Sequence, residues 1–122
     1  VNDQFGSITS TFTLSRVIWR LIQKNDEFSK NNKIFPNYFH WNDKGVISWY
    51  ELALAIKNMC EITSLIKNSA EILPTTSEAY NFSAKRPKYS VLDCSETENI
   101  LKIKSISWEK SLLEIFKKLI EK

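Results

Sequence analysis

Residues 84 to 93 read AKRPKYSVLD, with Lys85, Arg86 and Lys88 crowded around Pro87 immediately ahead of an apolar run. The chemistry open to such a cluster is anion binding. A guanidinium offers phosphate a planar pair of hydrogen bonds that an ammonium cannot reproduce. Pro87 biases Arg86 toward an extended backbone, which projects the side chain away from any helix. That arrangement suits a diphosphate. The competing reading is a solvated basic loop, because charge clusters on loops are usually exposed cations without a ligand. Tyr89 among these cations also admits stacking on a nucleic-acid base. The basic run is short, however, and no recognised nucleic-acid motif accompanies it, so nucleic acid is not the expected partner.

Other reactive residues are sparse. His40 is the only histidine, and Cys60 and Cys94 have no metal-ligand spacing, which excludes a zinc site and a Ser-His-Asp triad. The free cysteines fit a reducing cytoplasm. His40, beside aromatics, reads as a partly buried histidine rather than a base. Asp3 with Gln4 either lines a ligand site or finishes a strand, and spacing alone leaves both open. Trp19, Trp49 and Trp108 fall on apolar helix faces and are expected in the core; Trp41 is undetermined.

The elements that must position these residues are read from periodicity. TFTLSRVIWRLIQKNDEF sets Leu14, Val17, Ile18, Leu21 and Ile22 at helical spacing, with Thr11 or Thr13 as N-cap. SKNNK and Pro36 break that pattern as a loop. NYFHWND has the aromatic content of a short strand ending at the turn NDKG. SWYELALAIKNMC opens with Ser48 and Glu51 in capping-box spacing. AEILP reads as a short strand stopped by Pro74, and Thr75 to Arg86 as a long polar loop of the kind that is often functional. YSVLD suggests another strand, and Ser95 with Glu98 a second capping box for a brief helix through Ile100. In SWEKSLLEIFKKLIEK, Trp108, Leu112, Ile115, Phe116 and Leu119 form an apolar stripe, with lysines near the C-terminus complementing the helix dipole.

With 122 residues, 43% of them hydrophobic, the chain is long enough for one domain with a modest core. A formal net charge of +3, with both signs interspersed, implies no general attraction to nucleic acid or membrane. No apolar run approaches the roughly 20 residues of a membrane span, and the N-terminus carries no signal pattern. The sequence starts at Val1 and runs at once into structured-looking sequence, so the chain is expected to be a piece of a longer protein. Mixed helices and short strands, more α than β and without a repeat, predict an α/β lobe that docks on a partner domain.

Three motifs together resemble one family. VNDQFGSITSTFTLS at 1 to 15, GVISWYELALAI at 45 to 56, and PTTSEAYNFSAKRPKYSVLD at 74 to 93 are similar, in order and spacing, to the C-terminal part of the dTDP-4-dehydrorhamnose reductases, members of the extended short-chain dehydrogenase/reductase superfamily. The resemblance implies an enzyme that reduces the 4-keto group of dTDP-4-dehydro-L-rhamnose with NADPH, giving dTDP-L-rhamnose for surface polysaccharide in the cytoplasm. It also implies that residues 1–122 are the small sugar-nucleotide-binding domain of that enzyme. The dTDP-linked deoxysugar and the enzyme's own N-terminal Rossmann domain would be its partners, with homo-oligomerisation open.

The resemblance makes Arg86 a diphosphate contact, with Lys85 adding positive field and Gln4 lining the sugar-nucleotide cleft beside the turn at Gly6 and Ser7. It places the NADPH site in the N-terminal domain. The glycine-rich dinucleotide loop has no counterpart here, where the glycines are Gly6 and Gly45. The superfamily's tyrosine followed four positions later by lysine is also missing: behind Tyr38, Tyr50, Tyr80 and Tyr89 stand Asn42, Leu54, Ala84 and Asp93. The chain by itself is therefore expected to be redox-inactive. Departures from the family pattern are Ile8 for proline, Thr13 for aspartate, YNFSA at 80 to 84 for a proline-rich YPTPA, and Cys94 for asparagine. They leave room for a different nucleotide-linked deoxysugar, or for a non-catalytic relative of the kind represented by the regulatory β subunit of methionine adenosyltransferase.

Overall fold

The computed structural model describes residues 1–32, 34–80 and 83–121. Among the described residues five helices and three two-residue strands follow one another in the order β1 (Phe5–Gly6), α1 (Thr11–Lys30), β2 (Ile47–Ser48), α2 (Trp49–Ile62), α3 (Ser77–Tyr80), β3 (Tyr89–Ser90), α4 (Ser95–Leu101) and α5 (Trp108–Ile120). The expected α/β class holds, with more helix than strand. Among the described residues no helix is long and apolar enough to cross a membrane.

The sheet runs β2-β1-β3. Phe5 pairs with Ser48 in the antiparallel half and with Tyr89 in the parallel half, so three distant segments meet at one register position. The Phe5 N–H donates to the Lys88 carbonyl at 2.8 Å, extending the pairing one residue toward the basic stretch. YSVLD is thus a strand only at Tyr89 and Ser90. Beyond them, the Leu92 carbonyl accepts from the Asn42 side chain at 3.1 Å and the Asp93 carboxylate from the Ser95 N–H at 2.9 Å. These side-chain bonds take over where a ladder would have continued.

The N-cap of helix α1 lies one residue before Thr11 and three before Thr13, the two expected caps. Ser10, with φ −68° and ψ 139°, is the N-cap and accepts from the N–H groups of Phe12 and Thr13. Thr13 is inside the helix, and its hydroxyl lies 2.8 Å from Asp43 Oδ1 and 2.9 Å from the Ser10 carbonyl. Asp43 is fully buried, and its Oδ2 accepts from the Ser10 N–H at 2.9 Å. A single carboxyl group therefore pins the start of α1 to the segment preceding β2. The Asp43 N–H completes the clamp by donating to the Ile8 carbonyl at 3.0 Å.

The expected strand at NYFHWND does not form. Its backbone groups find single partners: His40 N–H donates to Thr97 Oγ1 at 3.1 Å, and Asp43 N–H goes to Ile8. The only β-type pairing nearby, among the described residues, is the isolated parallel bridge between Lys44 and Ser107. Of this segment's aromatic residues, Phe39 is tilted against Phe35 at 5.0 Å, Phe35 in turn stands edge-on to Phe28 of α1 at 5.1 Å, and Tyr38 is exposed. AEILP is likewise no strand; Leu73 is 70% exposed, and among the described residues no segment pairs with it as a ladder. The long loop from Thr75 to Arg86 contains a turn of helix, α3, started by Thr76, whose hydroxyl accepts from the Ala79 N–H at 3.2 Å. Asn81 and Phe82, within that loop and within YNFSA, lie outside the described residues.

The Ser48/Glu51 capping box forms in both directions: Glu51 Oε2 accepts from the Ser48 N–H at 2.8 Å, and Ser48 Oγ accepts from the Glu51 N–H at 3.2 Å. The second box does not. Helix α4 has Cys94 at its N-cap position without a side-chain cap, and Glu98 reaches toward the other end of the helix. There it accepts from the Ser105 N–H and hydroxyl, both at 2.8 Å, and from Lys104 Nζ at 2.9 Å. Lys102 turns the chain between them in the left-handed region at φ 54°. The turn places three donors around Glu98, which outcompete the single N-terminal N–H available to a capping box.

Val17, Ile47, Cys94, Leu101 and Phe116 are the buried apolar residues among those described. Two tryptophans expected in the core are at the surface, Trp19 at 67% and Trp49 at 61% exposure. On α1 only Val17 of the predicted stripe is buried, while Leu14, Ile18 and Ile22 stay 41 to 50% exposed, without full cover from any element among the described residues. Trp108 is half-buried and packs against Gly45.

Candidate functional site

Register in the sheet builds the site. Because β1 lies between β2 and β3, residues just before Phe5 sit next to the start of α2 on one side and the basic stretch on the other. Gln4 and Arg86, far apart in sequence, line the same two adjoining clefts. The larger, about 950 Å³, also takes in Asp3, Ser77, Lys85 and Lys88. The smaller, about 390 Å³, is completed by Val1, Trp49 and Tyr80.

A short hydrogen-bond relay fixes one wall. Gln4 is 5% exposed, and its Nε2 donates to Ser77 Oγ at 2.9 Å. Ser77 Oγ donates to Asp3 Oδ1 at 2.8 Å, and the Ser77 N–H reaches the same oxygen at 2.9 Å. These bonds favour the ionised form, so the Asp3 carboxyl is held below its ordinary range, by the Ser77 hydroxyl first and with the Lys88 charge as a smaller contributor. Lys85, Arg86 and Lys88 supply the positive wall opposite in charge. The arrangement offers an anion a cationic grip and gives an uncharged polar ligand a fixed amide.

All three residues singled out from sequence, Arg86, Gln4 and Lys85, line the larger cleft. Sequence reasoning left Asp3 undecided and missed Ser77, although Ser77 stands inside the PTTSEAY motif. Its polar side chain three residues before Tyr80 was the available signal. Trp49 and Tyr80 were missed as cleft residues because helical periodicity assigned Trp49 to the core. His40 is exposed rather than partly buried, and it lines neither cleft.

A third cavity, about 330 Å³, lies between α1 and residues 103–106 and is bordered by Arg16, Arg20, Trp41 and Lys104. Two of its cations already have partners within the protein. Arg20 Nε donates to the Leu101 carbonyl at 3.1 Å, and Lys104 pairs with Glu98.

The chain matches the RmlD substrate binding domain over residues 1–121. It is 26% identical over 115 residues to a dTDP-4-dehydrorhamnose reductase of Aggregatibacter actinomycetemcomitans, covering 94% of this chain and 38% of that protein. It is 31% identical over 114 residues to the spore coat polysaccharide biosynthesis protein SpsK of Bacillus subtilis, covering 93% of this chain and 34% of the relative. The crystal structure of a dTDP-4-dehydrorhamnose reductase from Clostridium acetobutylicum superposes on the whole chain with a TM-score of 0.73 and 32% identity, 38% of that protein being matched. The chain thus spans somewhat over a third of the length of these proteins. With a match over essentially every residue, this chain belongs to the RmlD substrate binding domain family.

Proposed function

We propose that this chain is the sugar-nucleotide-binding lobe of a dTDP-4-dehydrorhamnose reductase, acting in the cytoplasm on dTDP-4-dehydro-L-rhamnose to give dTDP-L-rhamnose for surface polysaccharide. The observation that carries this reading is the meeting of Arg86, Lys85 and Gln4 on one cleft of about 950 Å³. Relatives named as a dTDP-4-dehydrorhamnose reductase and a polysaccharide biosynthesis protein supply the substrate class. In this reading Arg86 grips the diphosphate through paired hydrogen bonds, Lys85 raises the local positive field, and Gln4 meets an uncharged part of the ligand.

The residues of this chain do not fit a dinucleotide. A pyrophosphate loop needs glycines whose backbone a phosphate can approach, but here both glycines are packed against side chains. A Cβ on Gly45 would stand 2.7 Å from Trp108 Cδ1, and one on Gly6 3.0 Å from Ser90 Oγ. The reading therefore gives NADPH and hydride transfer to a Rossmann domain elsewhere in the reductase and assigns no redox step to these residues.

Calorimetric titration of dTDP tests the reading in the reductase that carries this domain. Arg86→Ala should weaken dTDP binding by about 1.5–3 kcal/mol, the worth of a hydrogen bond to a charged group. Arg86→Lys should recover only part, since the paired geometry is lost, and NADPH affinity should be unchanged. Equal dTDP affinity in wild type and Arg86→Ala would return the stretch to a solvated basic loop, whose exposed cations add only screened attraction.

A further inference from the structure

The cavity of about 330 Å³ between α1 and residues 103–106 shares no lining residue with the two clefts. Its walls are mainly apolar, from Val17, Trp19, Trp41, Ile103 and Ile106, and its volume falls at the lower end of the range of small-ligand sites. Arg16, Arg20 and Gln23 recur at four and three residues along α1 and so line it from one face of the helix. Among the described residues no carboxylate lines it. Its three cations are unequally committed. Lys104 pairs with Glu98 at 2.9 Å. Arg20 gives its Nε to the Leu101 carbonyl and stands 3.7 Å from Glu27. Arg16 has no ion pair among the described residues. A second donor is also unused: Trp41 Nε1 is shielded from solvent and has no acceptor among the described residues, a rare state for a buried N–H.

We propose that this cavity is a second ligand site, one that takes an aromatic monocarboxylate. The carboxylate takes the planar fork of Arg16, with the Trp41 N–H, reached by a small shift of the indole, as a further donor. The ring lies against Val17, Ile103 and Ile106, where its burial removes apolar surface from water. Charge selects the anion. Lys104 and Arg20 have carboxylate neighbours outside the cavity, whereas Arg16 has none, so one cation is left for the ligand to neutralise. A single negative charge meets that need, and the two charges of a phosphate monoester exceed it. The walls select the apolar body. An anion as small as acetate satisfies Arg16 and leaves the apolar lining in contact with water. The site does not depend on the reading of the clefts as the sugar-nucleotide site, since no residue is common to both.

Calorimetric titration with naphthoate tests the proposal in the reductase that carries this domain, with dTDP and NADPH at saturation so that their sites are filled. Naphthoate should bind wild type, and naphthamide, which keeps the outline and lacks the charge, should bind roughly tenfold more weakly, the low end for losing a hydrogen bond to a charged group. Acetate should also bind more weakly than naphthoate. Arg16 is exposed, so its replacement does not threaten folding. Arg16→Ala should weaken naphthoate by a similar factor and leave naphthamide unchanged, and Arg16→Lys should restore part of the loss. Ile103→Ala should weaken both ring compounds. In nitrogen–proton correlation spectra the Trp41 indole resonance, identified as the one missing in Trp41→Phe, should move when naphthoate is added. No binding of naphthoate to wild type overturns the proposal, and is the result expected if another part of the reductase fills the cavity. Equal affinity for naphthoate and naphthamide, or naphthoate affinity unchanged in Arg16→Ala, overturns the role given to Arg16 and the carboxylate class with it. Naphthoate binding that leaves the Trp41 resonance unmoved puts the probe elsewhere and overturns the site.

Discussion

Glu98 allows an electrostatic contribution to be measured in this fold. Its side chain is only 15% exposed and accepts three hydrogen bonds, from the Ser105 N–H and hydroxyl and from Lys104. The Ser105 N–H foremost, then Lys104, hold its pKa at about 2 against an ordinary value of 4.5. A carboxyl group whose folded pKa is depressed binds its proton more weakly in the native state than in the unfolded chain. Its contribution is therefore fully present above the unfolded value and is lost as pH falls from near 4.5 toward 2. At 1.36 kcal/mol per tenfold change in proton affinity, the interval corresponds to a ceiling of about 3 kcal/mol. The Lys104 side chain is 78% exposed, so solvent screens its share, and about 1–2 kcal/mol is the figure to expect at neutral pH.

Glu98→Gln keeps the shape and removes the charge. Urea unfolding of wild type and variant at pH 7, 5, 4, 3 and 2.5 should show the variant less stable by that amount at pH 7. The difference between the two proteins should shrink steadily below pH 4.5. Acid sensitivity from the other carboxyl groups is common to both proteins and cancels in the difference. A gap of constant size from pH 7 to pH 2.5, or no gap at pH 7, refutes the reasoning.

Two further substitutions test how the site is held in place. Gly45 has φ +117° and a Cβ there would meet Trp108 at 2.7 Å; Gly45→Ala should cost about 2 kcal/mol or more of stability in urea unfolding, combining backbone strain with a clash. Asp43→Ala removes the buried acceptor of the Ser10 N–H and a neighbour of the Thr13 hydroxyl, and should lower the unfolding free energy by roughly 2–3 kcal/mol for the donors left unsatisfied; a change below 0.5 kcal/mol, the scale of ordinary surface substitutions, would count against the clamp.

Local signals made four of the five described helices legible, including the brief α4, which ends within a residue of the expected Ile100 although its capping box does not form. α1, α2 and α5 each carry several turns of periodic apolar spacing, and α2 has a capping box whose two residues are three positions apart, so nothing distant was needed to form it. The same spacing misled at Ser95 and Glu98, because the competing donors come from residues 104 and 105, after a left-handed turn at Lys102 that no residue type there announces. Strand positions were harder still. Two-residue strands have no alternation to read, and their existence depends on partners in other segments. Periodicity also reports which face of a helix is apolar without saying what covers it. The predicted stripe of α1 exists, but Leu14, Ile18 and Ile22 are left half exposed within these 122 residues.

The candidate site shows the same division between local and distant information. Arg86 was identifiable by itself, from its charge and its proline. Its connection to Gln4 came from motif resemblance, and the physical cause of that connection is the register Phe5↔Ser48 and Phe5↔Tyr89, which sets residue 4 beside the start of α2 and the end of the basic stretch at once. Trp49 illustrates the consequence. Helical spacing assigns it inward, yet the antiparallel pairing of β2 with β1 puts the first residue of α2 beside Val1 and Gln4, and the Tyr50 N–H donates to the Val1 carbonyl at 3.0 Å. The backbone bond thus holds the helix start against the N-terminal segment while the tryptophan ring remains at the cleft. A residue that looks like core by its period becomes a surface aromatic because the sheet, rather than the helix, decides where that helix begins.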